Sequence, residues 1–171
     1  MNTIEIKSAY VKGGRVYDAI VRVQVSNGIG YHILGLPDAA VKETLLRVVT
    51  ALQACGYRTP GKKIVITVEP VEEVKANFSC FDLPVAVGLL LATGQVSFGC
   101  DATLYGELAL DGGLRAAGGE REVIERVREE NGLVVFSIDG CRQVYSNKNL
   151  IGFGGLRHLV SYSETCNLMK I

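Results

Sequence analysis

The sequence predicts one α/β domain, of α+β character, with helices packed on a mixed β-sheet. Three observations carry that reading. Residues 4–11 and 16–25 alternate and are rich in β-branched side chains, as half-buried strands are. Residues 38–55 and 83–93 carry the apolar spacing and density of helices. Strands come first and then alternate with helices, an order that asks for a mixed sheet. A chain of 171 residues suits a single domain and can bury roughly two thirds of its unfolded surface without disulfides or metal.

A turn at Gly13-Gly14 joins the first two strands, and a third strand is expected at 31–34. The chain then turns at Gly35-Leu36-Pro37-Asp38, with Pro37 at the first helical position, where its missing N–H is harmless. Val41, Leu45, Val48 and Leu52 fall on one face of the helix 38–55, Glu43 and Arg47 pair on another, and Gly56 stops it. Residues 63–68 read as a strand and 69–80 as a loop. Asp82 and Pro84 open a second helix, 83–93, apolar nearly all round and therefore buried. Residues 104–110 read as one strand ending at Asp111-Gly112-Gly113, with 114–117 as its hairpin partner. A third helix, 120–130, has a narrow stripe of Val123, Ile124 and Val127 and a Glu122–Arg126 pair. Residues 133–138 are a near-continuous apolar strand, followed by a short strand at 150–153 and a helix at 156–162.

Composition narrows the function. Formal net charge is zero, which argues against a strongly basic nucleic-acid module but leaves room for a local patch. Cys55, Cys80, Cys100, Cys141 and Cys166 form no CxxC pair, so they read as free thiols in a reducing cytoplasm. Residues 1–7 do not resemble a signal peptide, and the longest apolar run, 83–92, is about half a membrane span. No Gly-Lys-Ser/Thr exists to cradle phosphate: Gly61-Lys62 is followed by Lys63, and 152–155 lacks the context of a dinucleotide site. His32 and His158 are the only histidines and have no ligand partner at helical or turn spacing, so no metal site is expected.

Three stretches carry a resemblance. They are Gly35-Leu36-Pro37-Asp38-Ala39-Ala40-Val41-Lys42-Glu43, Phe81-Asp82-Leu83-Pro84-Val85-Ala86-Val87-Gly88, and Gly106-Glu107-Leu108-Ala109-Leu110-Asp111-Gly112-Gly113-Leu114-Arg115. In order and spacing they resemble the signatures of the N-terminal, ChlI-type domain of the Mg-chelatase-like ATPases, the YifB/ComM family. The resemblance runs from about Ile4 to Ser161. It implies a fold shared with the proteolytic domain of Lon, the C-terminal domain of RadA and the second domain of a small-subunit ribosomal protein. It also implies that residues 1–171 form one such domain, beside an AAA+ ATPase module outside this sequence.

The resemblance implies a non-catalytic accessory or assembly domain, with a role in DNA processing or natural transformation. Such a domain would have no cofactor of its own, with ATP and Mg entering only through the ATPase module or subunit that is its partner. Oligomerisation stays open, and no membrane is involved. Gly35, Pro37, Asp38, Lys42, Asp82, Glu107 and Arg115 are the candidates for partner contact. Asp38 and Asp82 are expected to receive free N–H groups at their helix starts, and Glu107 and Arg115 to pair across the hairpin.

Two alternatives stand beside it. The first is a nucleic-acid-contacting module of a helicase, binding DNA weakly through Arg58, Lys62 and Lys63, with Arg47 nearby. The second is a residual Lon-like serine hydrolase. That chemistry needs a lysine base. By the resemblance the serine position falls on or beside Phe81 and the lysine position near Arg121, and arginine cannot serve as a base. Ser79 is the nearest serine, but no lysine lies between Lys75 and Lys148, so no catalytic residue is assigned.

Overall fold

The computed structural model describes residues 2–69, 78–99, 101–130, 132, 134–137, 145–147, 150–153, 155–157 and 159–161. Cys100, Cys141, His158, Cys166 and residues 70–77 of the expected loop lie outside them.

Strands β1 (Asn2–Lys12) and β2 (Arg15–Ser26) form an antiparallel hairpin in register from Asn2↔Val25 to Lys12↔Arg15. Its two turn residues, Gly13 and Gly14, hold φ of 58° and 75°, the left-handed pair that matches the twist of a hairpin. Strand β3 (Gly30–Leu34) follows, then α1 (Asp38–Ala54) and β4 (Lys63–Glu69). A 3-10 turn (Phe78–Phe81) leads into α2 (Asp82–Ala92). Next come β5 (Thr103–Leu104), β6 (Glu107–Leu108), β7 (Leu114–Arg115) and α3 (Glu120–Glu129). Strands β8 (Val134–Ser137), β9 (Tyr145–Asn147) and β10 (Leu150–Phe153) complete the sheet.

The described strands form a mixed eight-stranded sheet, ordered β3-β4-β2-β1-β5-β8-β10-β9, and a separate two-stranded sheet, β6-β7. The α/β class expected from the sequence is therefore present. Alternation decides what each strand buries. In β4, Ile64, Ile66 and Val68 are buried while Val65 and Thr67 are only half-buried. Val21, Val23 and Ile6 continue that buried set across β2 and β1. Helix α2 packs against β1, β2 and α1, which is why it is apolar all round. Gly88 lets it come close, since a Cβ there would stand 2.7 Å from Val23 Cγ2.

The structure corrects several expectations. Helix α1 buries Ala40, Thr44, Val48, Ala51 and Leu52, whereas Val41 and Leu45 are half-buried at the edge of that face. Pro37 is the N-cap residue, one position before the helix, and its carbonyl accepts the Val41 N–H. The expected strand 104–110 is broken in two. At the break, Gly106 N–H donates to the Cys80 carbonyl and Gly106 C=O accepts from Leu83 N–H, drawing the chain off the main sheet towards the start of α2. Arg126 pairs with Glu130 at 3.1 Å and Asp18 at 3.2 Å rather than with Glu122, because β2 offers it a carboxylate and the Val16 carbonyl. Helix α1 ends as Gly56 predicts, with Tyr57 N–H reaching Leu52 C=O and Gly56 N–H reaching Gln53 C=O. No described helix is long and apolar enough to cross a membrane.

Candidate functional site

The three signature stretches meet at the N-terminal ends of α1 and α2. Gly35, at φ 96°, turns the chain out of β3, and Pro37 starts α1. Two and a half turns along α1, Arg47 reaches across to Asp82, the first residue of α2. The contact is bidentate: Arg47 Nε donates to Asp82 Oδ2 at 2.6 Å and Nη2 to Oδ1 at 3.1 Å. Oδ2 also accepts the Leu108 N–H of β6 at 3.1 Å. Asp82 is completely buried, so one carboxylate ties together two helices and the small hairpin. Burial pushes the Asp82 carboxyl up to about 6; Arg47 and the Leu108 N–H pull the other way, and Glu107 adds to the rise. Arg47 is pushed up in turn, chiefly by its hydrogen bonds to Asp82, against the effect of its own partial burial.

Above this pair lies a cleft of about 460 Å³. The N-cap Pro37 and helix α1, through Ala39, Ala40, Glu43 and Arg47, form one side; the 3-10 turn supplies Phe78 and Ser79; β6 supplies Glu107. Glu43 Oε2 stands 3.7 Å from Arg47 Nη1. The cleft therefore joins two carboxylates to a guanidinium already occupied by a third, with a half-buried aromatic wall.

The candidate residues are distributed unevenly. Pro37 and Glu107 line the cleft, and Asp82 lies behind Arg47. Asp82 does not cap its own helix, since Arg47 and Leu108 take its oxygens. Asp38 makes no side-chain cap bond; it is exposed in the first turn of α1, as is Lys42 further on. Glu107 and Arg115 are direct partners in the hairpin register but form no ion pair among the described residues. Arg58, Lys62 and Lys63 are exposed and without an ion-pair partner among the described residues. The Arg58 backbone is fixed by Gln95, which accepts its N–H at 2.8 Å and donates to its C=O at 2.9 Å. Arg47 stands apart from that cluster, drawn to Asp82. Its role escaped sequence reasoning because its partner is 35 residues away. The one available signal was an aspartate opening an otherwise apolar helix, which must find a cation from a neighbouring element.

Ser79 is buried in the 3-10 turn at the cleft, and Phe81 is buried beside it. Arg121 is exposed on α3 and pairs with Glu125 at 3.3 Å. Among the described residues that line the cleft there is neither lysine nor histidine. The described residues contain no cluster of His, Cys, Asp and Glu able to hold a metal ion.

The fold and these joined signatures define a domain of the Mg-chelatase-like class. The family described as subunit ChlI of Mg-chelatase matches residues 21–137, which span all three stretches, and the chain belongs to this family. The uncharacterized protein YifB of Salmonella typhimurium is 39% identical over 119 residues, covering 67% of this chain and 23% of that protein. Competence protein ComM of Haemophilus influenzae is 37% identical over 106 residues, covering 58% of this chain and 20% of that protein. The uncharacterized protein Rv2897c of Mycobacterium tuberculosis is 31% identical over 102 residues, again covering 58% and 20%. The chain thus spans about a fifth of the length of the relatives it matches.

Proposed function

We propose that this chain is a non-catalytic assembly domain for an AAA+ ATPase module of its family, working in the cytoplasm in DNA processing. The observation that carries the proposal is the closed Arg47–Asp82–Leu108 junction. Asp82 of the second signature and Arg47 are consumed in holding α1, α2 and the β6–β7 hairpin in place. Around the cleft they leave a shaped surface whose described lining offers Ser79 an arginine as its one neighbouring cation. Arginine holds its proton at any working pH and supplies no general base. ATP and Mg belong to the ATPase module in this reading. Similarity to a competence protein supports placing the work in DNA processing or natural transformation.

The test is co-expression of this chain with the ATPase part of a family member, followed by gel filtration with and without ATP. Co-elution strengthened by nucleotide is expected. Separate elution in every nucleotide state would overturn the proposal. Hydrolysis of a peptide or ester that is lost in Ser79→Ala would replace it with the hydrolase reading.

A second reading has its own observation. Arg58, Lys62 and Lys63 are exposed without ion partners among the described residues, and Gln95 pins the backbone of Arg58. Three phosphate contacts predict a log–log salt slope of about −2.7 on duplex DNA. Anisotropy titrations that show such a slope, lost when the three are changed to alanine, would establish DNA contact.

A further inference from the structure

We propose that Arg47 is a two-position side chain, held inside the fold when Asp82 is ionised and handed to the cleft carboxylates Glu43 and Glu107 when Asp82 takes up a proton. The switch is a property of the fold and does not rest on the assembly reading.

The two oxygens of Asp82 are not equivalent. Oδ2 accepts both Arg47 Nε and the Leu108 N–H, while among the described residues Oδ1 accepts only Arg47 Nη2, at the longer distance of 3.1 Å. A proton therefore settles on Oδ1, so that Oδ2 keeps the Leu108 N–H satisfied. Protonation removes the charge and sets an O–H against the Nη2 hydrogens, and the bidentate clasp opens.

Arg47 stays charged and needs a counter-ion. One is already within reach, because Glu43 Oε2 is 3.7 Å from Nη1. Glu107 lines the same cleft. The Arg47 side chain is 22% exposed, so it reaches these groups by turning its outer torsions, without moving α1.

The groups that set the transition come from every element packed on Asp82. Helix α1 presents Arg47 and Glu43, β6 presents Glu107 and the Leu108 N–H, and the 3-10 turn presents Cys80. Burial raises the Asp82 carboxyl to about 6, with Arg47 and Leu108 opposing and Glu107 reinforcing. The Cys80 thiol, pushed up to about 12 by burial, stays neutral throughout.

The consequence is a change in cleft charge. Above the transition, Arg47 is neutralised by Asp82, and Glu43 and Glu107 leave two negative charges facing the cleft. Below it, Arg47 cancels one of them. The affinity of the cleft for a cationic group of a partner therefore falls as pH falls, and by linkage such a group lowers the midpoint.

The test follows the Arg47 Nε–H and Leu108 amide resonances by nitrogen-15 NMR from about pH 4.5 to about pH 7.5, spanning ordinary and raised carboxyl values. Both are expected to shift together with a midpoint of about 6. In Asp82→Asn the Arg47 signal should rest at its low-pH position at every pH. In the double variant Glu43→Gln, Glu107→Gln the midpoint should move down and the low-pH position should change. An Arg47 signal that stays put while the protein remains folded would overturn the proposal. So would a double variant that titrates as the wild type does. Should Asp82→Asn fail to fold, the double variant still decides, because neither glutamate is in the core.

Discussion

Gly35 stands hard against Val68: a Cβ at position 35 would lie 2.1 Å from the Val68 carbonyl oxygen, and the residue holds φ at 96°. Both facts forbid a side chain. The obstacle is backbone of β4, inside the sheet, so it cannot swing aside as a flexible side chain would. Gly35→Ala must either move the start of α1 or push β4 away from β3. A strained φ alone is worth roughly 1–3 kcal/mol, and the clash adds to it. The expected loss in urea unfolding is about 3 kcal/mol or more. Gly61→Ala is the matched control, since nothing lies within 4 Å of its Cβ and its φ is not in the left-handed region. That variant should stay within about 0.5 kcal/mol of wild type.

Arg47→Ala and Asp82→Asn should not cost the same. Removing Arg47 leaves a completely buried carboxylate with, among the described residues, the Leu108 N–H as its remaining donor. The expected cost near neutral pH is about 3–5 kcal/mol. Asp82→Asn keeps an acceptor for Leu108 and removes the buried charge, so its cost should be distinctly smaller. The pair Arg47→Met with Asp82→Asn should recover most of what Arg47→Ala loses, because packing replaces a buried ion pair at little net cost. Denaturant melts of wild type, Arg47→Met, Asp82→Asn and the double variant form a double-mutant cycle. Equal losses for the two single changes would mean that the pair contributes by packing alone.

What the sequence made legible and what it hid divide along the range of the deciding contacts. The β1–β2 hairpin, α1 and the buried α2 rest on local periodicity and on glycines at turns, and their ends fall within two residues of expectation. The break at Tyr105–Gly106 rests on backbone bonds to Cys80 and Leu83, more than twenty residues away in sequence, so residues 104–110 looked like one strand. Strand β9 is three residues long and too short to display alternation. At the site, the signature residues were visible but their partners were not. Asp82 looked like a helix cap and Arg47 like half of a surface pair with Glu43. In the fold, the apolar surroundings of α2 leave Asp82 no water, and Arg47 is the cation within reach.

Asp82 also gives stability a pH dependence of unusual sign. The unfolded chain releases this proton near 3.8, whereas the folded protein holds it to about 6. Between those values the folded state binds more protons, so the contribution of this group falls as pH rises through the window and is level above it. The size is on the order of 3 kcal/mol. Other carboxylates titrate in the same range, so the quantity to measure is the difference between wild type and Asp82→Asn. Wild type should lose ground to the variant between about pH 4 and about pH 7. A difference that holds constant across that range would mean that Arg47 fully offsets burial and that Asp82 titrates as in the unfolded chain.

Cys80 should be silent to alkylation for as long as the protein is folded. Its side chain has no exposed surface, and its thiol donates to the Ala9 carbonyl at 3.8 Å. Burial pushes the thiol up to about 12, with the Tyr105 hydrogen bond pulling down and the Asp82 charge adding to the rise. Only about one thiol in 100,000 is then ionised at neutral pH, and the thiolate is the form that reacts. Cys55 is half-buried and also raised by burial, though Arg157 opposes the rise, so it should label slowly but measurably. Peptide mapping after iodoacetamide treatment separates the two from the remaining cysteines. Labelling of Cys80 should appear only as denaturant opens the whole domain, and it should rise in Gly35→Ala in step with the lost stability. Cys80 labelling as fast as Cys55 in the folded wild type would mean that the layer between β1 and α2 opens locally, without global unfolding.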